Sequence, residues 1–150
     1  MKKISLLITI LLLVMSGCTQ KKERENENSI KLVEEESVVI DGLEIQFSEV
    51  KTTDIVTQKD DERILYTFPV TGKNLSSVSK GLGAADFKLV AMDGKTYEID
   101  HSFVIFGDSV APGERIEGEL NFSLEGKTLP EKLTYQPTDK VVKTWKIKKK

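Results

Sequence analysis

Residues 37–47 read SVVIDGLEIQF, and this stretch has the pattern of a β-hairpin. The pair Asp41-Gly42 favours a two-residue type I′ turn, since both turn positions need a positive φ angle. After the turn, apolar residues alternate with polar ones, which is typical of a strand with one buried face: Leu43, Ile45 and Phe47. The sequence therefore predicts two antiparallel strands joined at Asp41-Gly42.

Short alternating runs continue from this hairpin to the C-terminus. A second pair, Asp93-Gly94, predicts another hairpin with the same turn, and Ala111-Pro112-Gly113 predicts a tight turn. Further strands are predicted in these runs: RILYTFPVTGKN (63–74), HSFVIF (101–106), ERIEGELNFSL (114–124), KLTYQP (132–137) and VVKTWKIK (141–148). Seven to nine short strands with regular turn signals predict an all-β protein, an antiparallel β-sandwich or barrel.

Two segments between these runs are predicted to be connections, the polar residues 52–62 and the small residues 75–85. Pro69 has no N–H to donate to a sheet, so its strand is predicted to lie at an edge or to carry a bulge there. Gly72 predicts a second irregularity in the same run.

The first seventeen residues have the composition of a secretory signal peptide. A short basic start precedes an apolar run over residues 4–15, which is shorter than the ~20 residues that a membrane-spanning helix needs. Two small residues then precede Cys18, the single cysteine of the chain. This order resembles the signal of bacterial lipoproteins, in which the cysteine thiol receives the lipid. The resemblance implies that residues 1–17 are removed, and that acyl chains on Cys18 anchor the protein at the outer face of the bacterial cell membrane.

Residues 18–36 are predicted to form a flexible charged tether behind the lipidated cysteine, because they are rich in charge and poor in apolar side chains. The folded domain is then predicted over residues 37–150. Loss of residues 1–17 removes two lysines and no acidic residue, which changes the formal net charge from −2 to −4. This balance does not favour nucleic acid as a partner, since nucleic-acid-binding domains are usually basic.

Three stretches, taken in order, carry a family resemblance: YTFPVTGKNLSS (66–77), FKLVAMDGKTYEID (87–100) and VAPGERIEGELNFSLEG (110–126). Following a lipoprotein-like signal, they resemble the telokin-like, immunoglobulin-like domain of unknown function common in Gram-positive lipoproteins. That family is similar to the mycobacterial immunoprotective extracellular protein. The resemblance covers about residues 38–137. It implies an immunoglobulin-like sandwich with no established catalytic residue.

Asp100-His101-Ser102 contains the residue types of a hydrolytic triad and the single histidine of the chain. On the predicted strand, adjacent side chains point to opposite faces, so these three are not expected to form a proton relay. A zinc site needs three or four histidine or cysteine ligands, and the chain has one of each. We therefore expect no enzyme activity, no catalytic residue, no metal and no cofactor.

The C-terminal run KTWKIKKK brings five lysines together: Lys143, Lys146, Lys148, Lys149 and Lys150. Alternation places Val141, Trp145 and Ile147 on the other face of this strand. One interpretation is contact with an anionic surface, either lipid headgroups or a cell-wall polymer. The alternative is an edge strand that its lysines protect from pairing with other chains.

Two functions agree with this pattern. One is a non-enzymatic binding or interaction module, displayed outside the cell, for a protein, a wall polymer or a small ligand. The other is an accessory subunit of a membrane or cell-envelope complex.

Overall fold

The computed structural model describes residues 29–33, 37–56 and 61–150. Within these residues the chain forms twelve β-strands and one short 3₁₀ turn at Ala84–Asp86. All the strand pairs in this part of the chain are antiparallel. The predicted all-β class and the sandwich of short strands are confirmed, and the strands are more numerous than predicted.

The first sheet has five strands: Ile30–Leu32 (β1), Phe87–Ala91 (β7), Thr96–Tyr97 (β8), Pro130–Tyr135 (β11) and Lys143–Lys149 (β12). Their order across the sheet is β1-β12-β11-β7-β8. The N-terminal strand therefore lies beside the C-terminal strand.

The second sheet also has five strands: Val38–Ile40 (β2), Leu43–Phe47 (β3), Lys51–Val56 (β4), Glu62–Asn74 (β5) and Arg115–Glu125 (β10). Their order is β10-β5-β3-β2, and β4 pairs with β5 as well. A separate two-stranded ribbon joins Lys80–Gly83 (β6) to Gly107–Val110 (β9).

The core lies between the two sheets and consists of the buried side of each alternating strand. Large buried side chains come from both sheets: Phe87, Leu89, Leu133 and Trp145 from the first, and Tyr66, Phe68, Leu120 and Phe122 from the second. The ring of Phe47 meets the ring of Trp145 edge to face, with centroids 5.0 Å apart and planes at 79°. This arrangement is favoured by the aromatic quadrupole and joins the two sheets.

The hairpin predicted at Asp41-Gly42 is confirmed. Its φ angles are 48° at Asp41 and 79° at Gly42, as a type I′ turn requires. The tight turn before β10 is also confirmed: the N–H of Glu114 donates to the carbonyl of Ala111 at 3.0 Å, and Gly113 has a φ of 81°.

The second hairpin is confirmed, but its predicted turn type is wrong. Gly94 has a φ of 83°, whereas Asp93 is not among the residues with positive φ. The N–H of Gly94 donates to the carbonyl of Ala91, and the N–H of Ala91 donates to the carbonyl of Lys95, both at 2.9 Å. This is a three-residue loop in which a type I turn precedes a left-handed glycine.

Pro69 lies in a central strand, so the predicted edge position is wrong. The predicted alternative, a bulge, has a counterpart in the neighbouring segment, where three residues, 48–50, face only Phe68 and Pro69 of β5. β10 covers one side of β5, and β3 and β4 follow each other along its other side. The carbonyl of Pro69 accepts from the N–H of Ser48 at 3.0 Å, directly after the end of β3. Because the N and O of a strand residue point to the same side, the missing N–H of Pro69 falls at the gap between β3 and β4.

Gly72 marks a close approach and not the predicted irregularity, since β5 keeps its register against both neighbours there. A Cβ at Gly72 would lie 2.2 Å from Cδ2 of Leu82, which is buried. A Cβ at Gly118 would likewise lie 2.2 Å from the ring of Phe106. Both glycines leave room for an apolar side chain that packs flat on the second sheet.

Two segments predicted as connections contain strands. β4 includes residues 52–56 of the supposed polar connection, where β-branched Thr, Ile and Val favour an extended chain. β6 occupies residues 80–83 of the supposed small-residue loop.

The strand predicted at residues 101–106 is wrong, because this segment is a turn followed by a loop. The backbone N–H of Asp100 donates to the carbonyl of Asn121 at 2.7 Å. The N–H of Phe103 then donates back to the carbonyl of Asp100 at 3.3 Å. These bonds turn the chain away from the sheet, so the apolar run has no strand to pair with.

The predicted tether over residues 18–36 is wrong near its C-terminal end, where β1 pairs with β12. Ile30 and Leu32 are 2% and 4% exposed. Two apolar residues with a spacing of two match the period of a strand, and their burial beside β12 outweighs the polar composition around them. The predicted signal peptide, Cys18 and the tether through residue 28 lie outside the described residues, as do residues 34–36.

We expect Ile30→Ala to lower the free energy of unfolding by about 2–4 kcal/mol, because it leaves a cavity beside β12. The neighbouring Lys31→Ala should change it by no more than about 0.5 kcal/mol, since Lys31 is exposed. Urea unfolding followed by circular dichroism measures both. Equal stability of the two variants would contradict a packed β1 and restore the tether interpretation.

Candidate functional site

The outer face of the first sheet carries four lysines on three adjacent strands: Lys31 on β1, Lys146 and Lys148 on β12, and Lys132 on β11. We call these four residues the lysine face. The register places Lys31 opposite Lys148, and Lys132 opposite Lys146. Directly opposite residues share a face of the sheet, so strand pairing brings together charges that are far apart in sequence.

The core fixes this arrangement through the alternation of the strands. Trp145 lies opposite Leu133, and Ile147 lies opposite Leu32. Trp145, Leu133 and Leu32 are buried. Side chains alternate between the two faces of a strand, so the residues next to these inward-facing ones point outward. The four lysines are such neighbours.

The lysine face has no compensating acidic partner among the described residues. Within the described ranges, none of the four lysines of this face forms an ion pair. By contrast, Lys88 on the same sheet has its Nζ 3.5 Å from a carboxylate oxygen of Glu98. Like charges directly across a strand pair repel each other, so this face favours an external anion.

The structure divides the five C-terminal lysines that the sequence singled out. Lys146 and Lys148 belong to the lysine face. Lys143 and Lys149 lie on the Trp145 side of β12, and the Nζ of Lys143 lies 5.9 Å from the centroid of the indole ring. Lys150 pairs with Glu49 across the sandwich. Val141, predicted to lie on the apolar face, is 54% exposed.

The alternative prediction, an edge strand at the C-terminus, is wrong. β12 lies between β11 and β1 and pairs with both. Sequence inspection missed the contributions of Lys31 and Lys132. The alternation of apolar and polar residues in IKL (30–32) and KLTY (132–135) indicates that both lysines point away from the core. Only the strand pairing shows that both lie beside β12.

A pocket of about 640 Å³ opens beside this face, where the edge of the first sheet meets the gap between β3 and β4. We call it the edge pocket. Leu32, Phe47 and Val50 supply its apolar lining, and its polar groups are Lys31, Ser48, Glu49, Lys149 and Lys150. Its size lies within the range typical of small-molecule sites, which are mostly apolar with a few polar groups.

The electrostatics of the edge pocket are set by three lysines and one carboxylate. The hydrogen bond from Lys150, and then its charge, hold the pKa of Glu49 below its usual value. This pair neutralises one lysine and leaves the charges of Lys31 and Lys149 to the pocket. An occupant with an apolar part and a negative group would match this lining.

Asp100 fastens the loop of residues 101–106 to the second sheet. Its carboxylate accepts hydrogen bonds from the hydroxyl of Ser123 and, at 2.9 Å, from the N–H of Ser102. Desolvation alone would raise the pKa of Asp100, but these hydrogen bonds and the charge of Arg63 outweigh it, and the pKa is lowered. The carboxylate is thus engaged with Ser123 and Ser102, and His101 is exposed in the turn.

Beyond this fastening, the same loop exposes apolar side chains. Val104 is 90% exposed, and its neighbours Phe103 and Ile105 are 36% and 41% exposed. The next residue, Phe106, packs on Gly118. The loop therefore presents three apolar residues to solvent from a base that is fixed on both sides.

No group of three or more histidine, cysteine or acidic side chains within the described ranges is placed to hold a metal ion. In the same part of the chain, no helix has the length and apolar character needed to cross a bilayer.

The chain has structural relatives of low sequence identity. It is similar to the candidate lipoprotein ycdA of Bacillus subtilis, with a TM-score of 0.55 and 21% identity over 71% of this chain and 36% of that chain. It thus spans about a third of that protein. It is also similar to the yjhA protein of Bacillus subtilis (TM-score 0.49, 15% identity, 68% of this chain and 78% of that chain). A third similar structure is a conserved hypothetical protein of Bacillus anthracis (TM-score 0.47, 11% identity, 79% of this chain and 100% of that chain).

The likeness to ycdA is one of fold, and it agrees with the β-sandwich described above. No protein-family model matches the chain. No curated protein matches it at a significant level. The family resemblance drawn from the sequence stays a prediction.

Asp100 gives a prediction about acid stability. A carboxyl group whose pKa is lower in the folded state stabilises the fold above its unfolded pKa of about 3.9, and this contribution is lost as pH falls. We expect Asp100→Asn to cost about 1–2 kcal/mol at pH 7, a low value for a charged hydrogen bond because the site is half-buried. The difference from wild type should shrink as the pH drops below about 4.

Urea unfolding at several pH values measures this difference, with the exposed Asp139→Asn as the matched control. A difference for Asp100→Asn that stays constant down to pH 3 would show that the charge of Asp100 does not fasten the loop.

Proposed function

We propose that this protein is a non-enzymatic binding module, held by a lipid on Cys18 at the outer face of the cell membrane. The order of basic start, apolar run, small residues and cysteine in residues 1–18 supports the anchor. The fold similarity to a candidate lipoprotein of Bacillus subtilis agrees with it.

The observation that carries the binding role is the edge pocket. It combines an apolar lining with Lys31 and Lys149, and its volume of about 640 Å³ suits a small ligand. We propose that it takes an amphipathic anion, whose apolar part packs on Leu32, Phe47 and Val50 while its negative group faces the amines. Such a ligand uses both parts of the lining.

A non-enzymatic role agrees with how the titratable groups are used. The carboxylate of Asp100 is occupied in fastening a loop, and Glu49 is occupied with Lys150. Both carboxylates therefore have partners that hold the fold together, which agrees with structural roles for them.

The second candidate function, an accessory subunit of a membrane or cell-envelope complex, is favoured by the loop of residues 103–105. Exposed apolar side chains on a fixed base are common at protein–protein contacts. Purification of the lipidated protein in mild detergent separates the two functions, because a stoichiometric partner that is lost with Val104→Asp would favour the subunit.

The edge pocket is tested with decanoate as the probe and decanol as its neutral analogue, in calorimetric titrations of residues 18–150 carrying Cys18→Ser. This chain retains every residue that the structure describes. We expect decanoate to bind more tightly than decanol, and Lys149→Gln to weaken decanoate binding roughly fivefold, as an exposed charge pair allows. The exposed Lys127→Gln is the control. Equal affinities for the two probes would rule out an anion site.

The anchor is tested by intact mass and detergent-phase partitioning of the expressed protein. We expect the wild type to begin at Cys18, to carry acyl mass and to enter the detergent phase. Cys18→Ser should lack acyl mass and keep residues 1–17, whereas Ser16→Ala, which keeps a small residue there, should be processed like wild type. A wild-type protein that starts at Met1 without acyl mass would refute the anchor.

A further inference from the structure

The lysine face is a basic surface on a chain that is acidic overall. The whole chain has a formal net charge of −2, and the part that follows the predicted signal has −4. Against this background, strand pairing gathers Lys31, Lys132, Lys146 and Lys148 on one side of the first sheet. Positive charge is therefore concentrated on one surface.

We propose that the lysine face docks on the anionic headgroups of the membrane to which the chain is anchored, so that the first sheet lies against the bilayer. This inference deepens the proposed function, and it rests on the lipid anchor for its geometry. The occupant is the lipid surface itself, which is distinct from the small ligand of the edge pocket.

Charge spacing supports a planar, anionic partner. Cross-strand neighbours in a sheet lie roughly 5 Å apart, and residues i and i+2 of one strand lie roughly 7 Å apart. The four lysines thus form a two-dimensional array on an open sheet surface. A single anionic chain would be better held in a groove, whereas a layer of headgroups offers negative charge in two dimensions.

The covalent path to the anchor leads to the same sheet. β1 is the edge strand of the first sheet, and the backbone N–H of Lys150 donates to the carbonyl of Ser29 at 2.9 Å just before β1 begins. Ten residues lie between Cys18 and Ser29, which makes eleven Cα–Cα steps. Even fully extended, they span at most about 40 Å. A lipid on Cys18 therefore limits the distance between the start of β1 and the bilayer to this length, which lets the first sheet reach the bilayer.

Repulsion between the lysines of this face agrees with binding of an external anion. Lys31 opposes Lys148, and Lys132 opposes Lys146, without a described carboxylate between them. Both like-charge pairs destabilise the sheet in isolation. An anionic surface would relieve this repulsion, and the relief is screened as ionic strength rises.

The test is sedimentation with vesicles of phosphatidylcholine, alone or mixed with phosphatidylglycerol, using residues 18–150 with Cys18→Ser. We expect binding to the mixed vesicles, little binding to phosphatidylcholine alone, and weaker binding at higher salt. Since each lysine near an anionic leaflet contributes about a fivefold gain in partitioning, Lys146→Gln/Lys148→Gln should lower it roughly 30-fold.

Lys51→Gln/Lys73→Gln is the matched control, because it removes the same charge from the second sheet. It should lower partitioning by less than about threefold, since those positions face away from the bilayer in this orientation. Circular dichroism checks that each variant is folded. If the double variant unfolds, Lys146→Gln and Lys148→Gln are measured singly, with about a fivefold loss expected for each.

Three outcomes would overturn the inference: no preference for anionic vesicles, equal losses for the two double variants, or lysine-dependent binding to soluble polyglycerol phosphate but not to vesicles. The last outcome would assign the face to a wall polymer. The vesicle assay uses an unlipidated chain, so it can show no binding even when the wild-type protein is acylated on Cys18. Conversely, the mass measurement can show that Cys18 is not acylated while the unlipidated chain still binds vesicles.

Discussion

The burial of Trp145 between the two sheets constrains the rest of the structure. Its ring lies against Phe47 of the second sheet and Phe87 of the first, with centroids 5.0 and 6.4 Å away. A residue with this much apolar surface cannot turn outward without a large cost in free energy. Because side chains alternate along a strand, the inward position of Trp145 fixes the face on which each remaining residue of β12 lies.

The lysine face follows from this constraint. With Trp145 inward, Lys146 and Lys148 must point outward, and Ile147 points inward beside Leu32 of β1. Leu32 then directs Lys31 outward, as Leu133 does for Lys132 on the other side of β12. The charges of the face are thus the outward half of a pattern whose inward half is the core.

A second feature of the packing creates the edge pocket. β3 and β4 both pair with β5 on the same side, and they are interrupted at residues 48–50, where Pro69 has no N–H to donate. The interruption leaves Phe47 and Val50 beside the edge of the first sheet, where β1 brings Lys31 and Leu32. The interruption between β3 and β4 therefore accommodates Pro69 in a central strand, and residues 48–50 of this interruption line the pocket.

Local sequence was informative where chain neighbours decide the conformation. The Asp41-Gly42 turn, the alternation of Leu43, Ile45 and Phe47, and the all-β class all depend on residues within a few positions of each other. It was misleading where a distant contact decides. Asp100 turns residues 101–106 away from the sheet through Asn121, and Ile30 with Leu32 become a strand only because β12 offers an edge.

The sequence by itself therefore determined the fold class, the first hairpin and the presence of a lysine-rich C-terminus, because these depend on periodicity and turn chemistry along the chain. Only the tertiary structure decided which lysines share a face, that the residues before 37 enter the sheet, and where a pocket opens. The physical reason is that strand pairing joins residues more than a hundred positions apart, and its register is set by the burial of side chains from several strands at once.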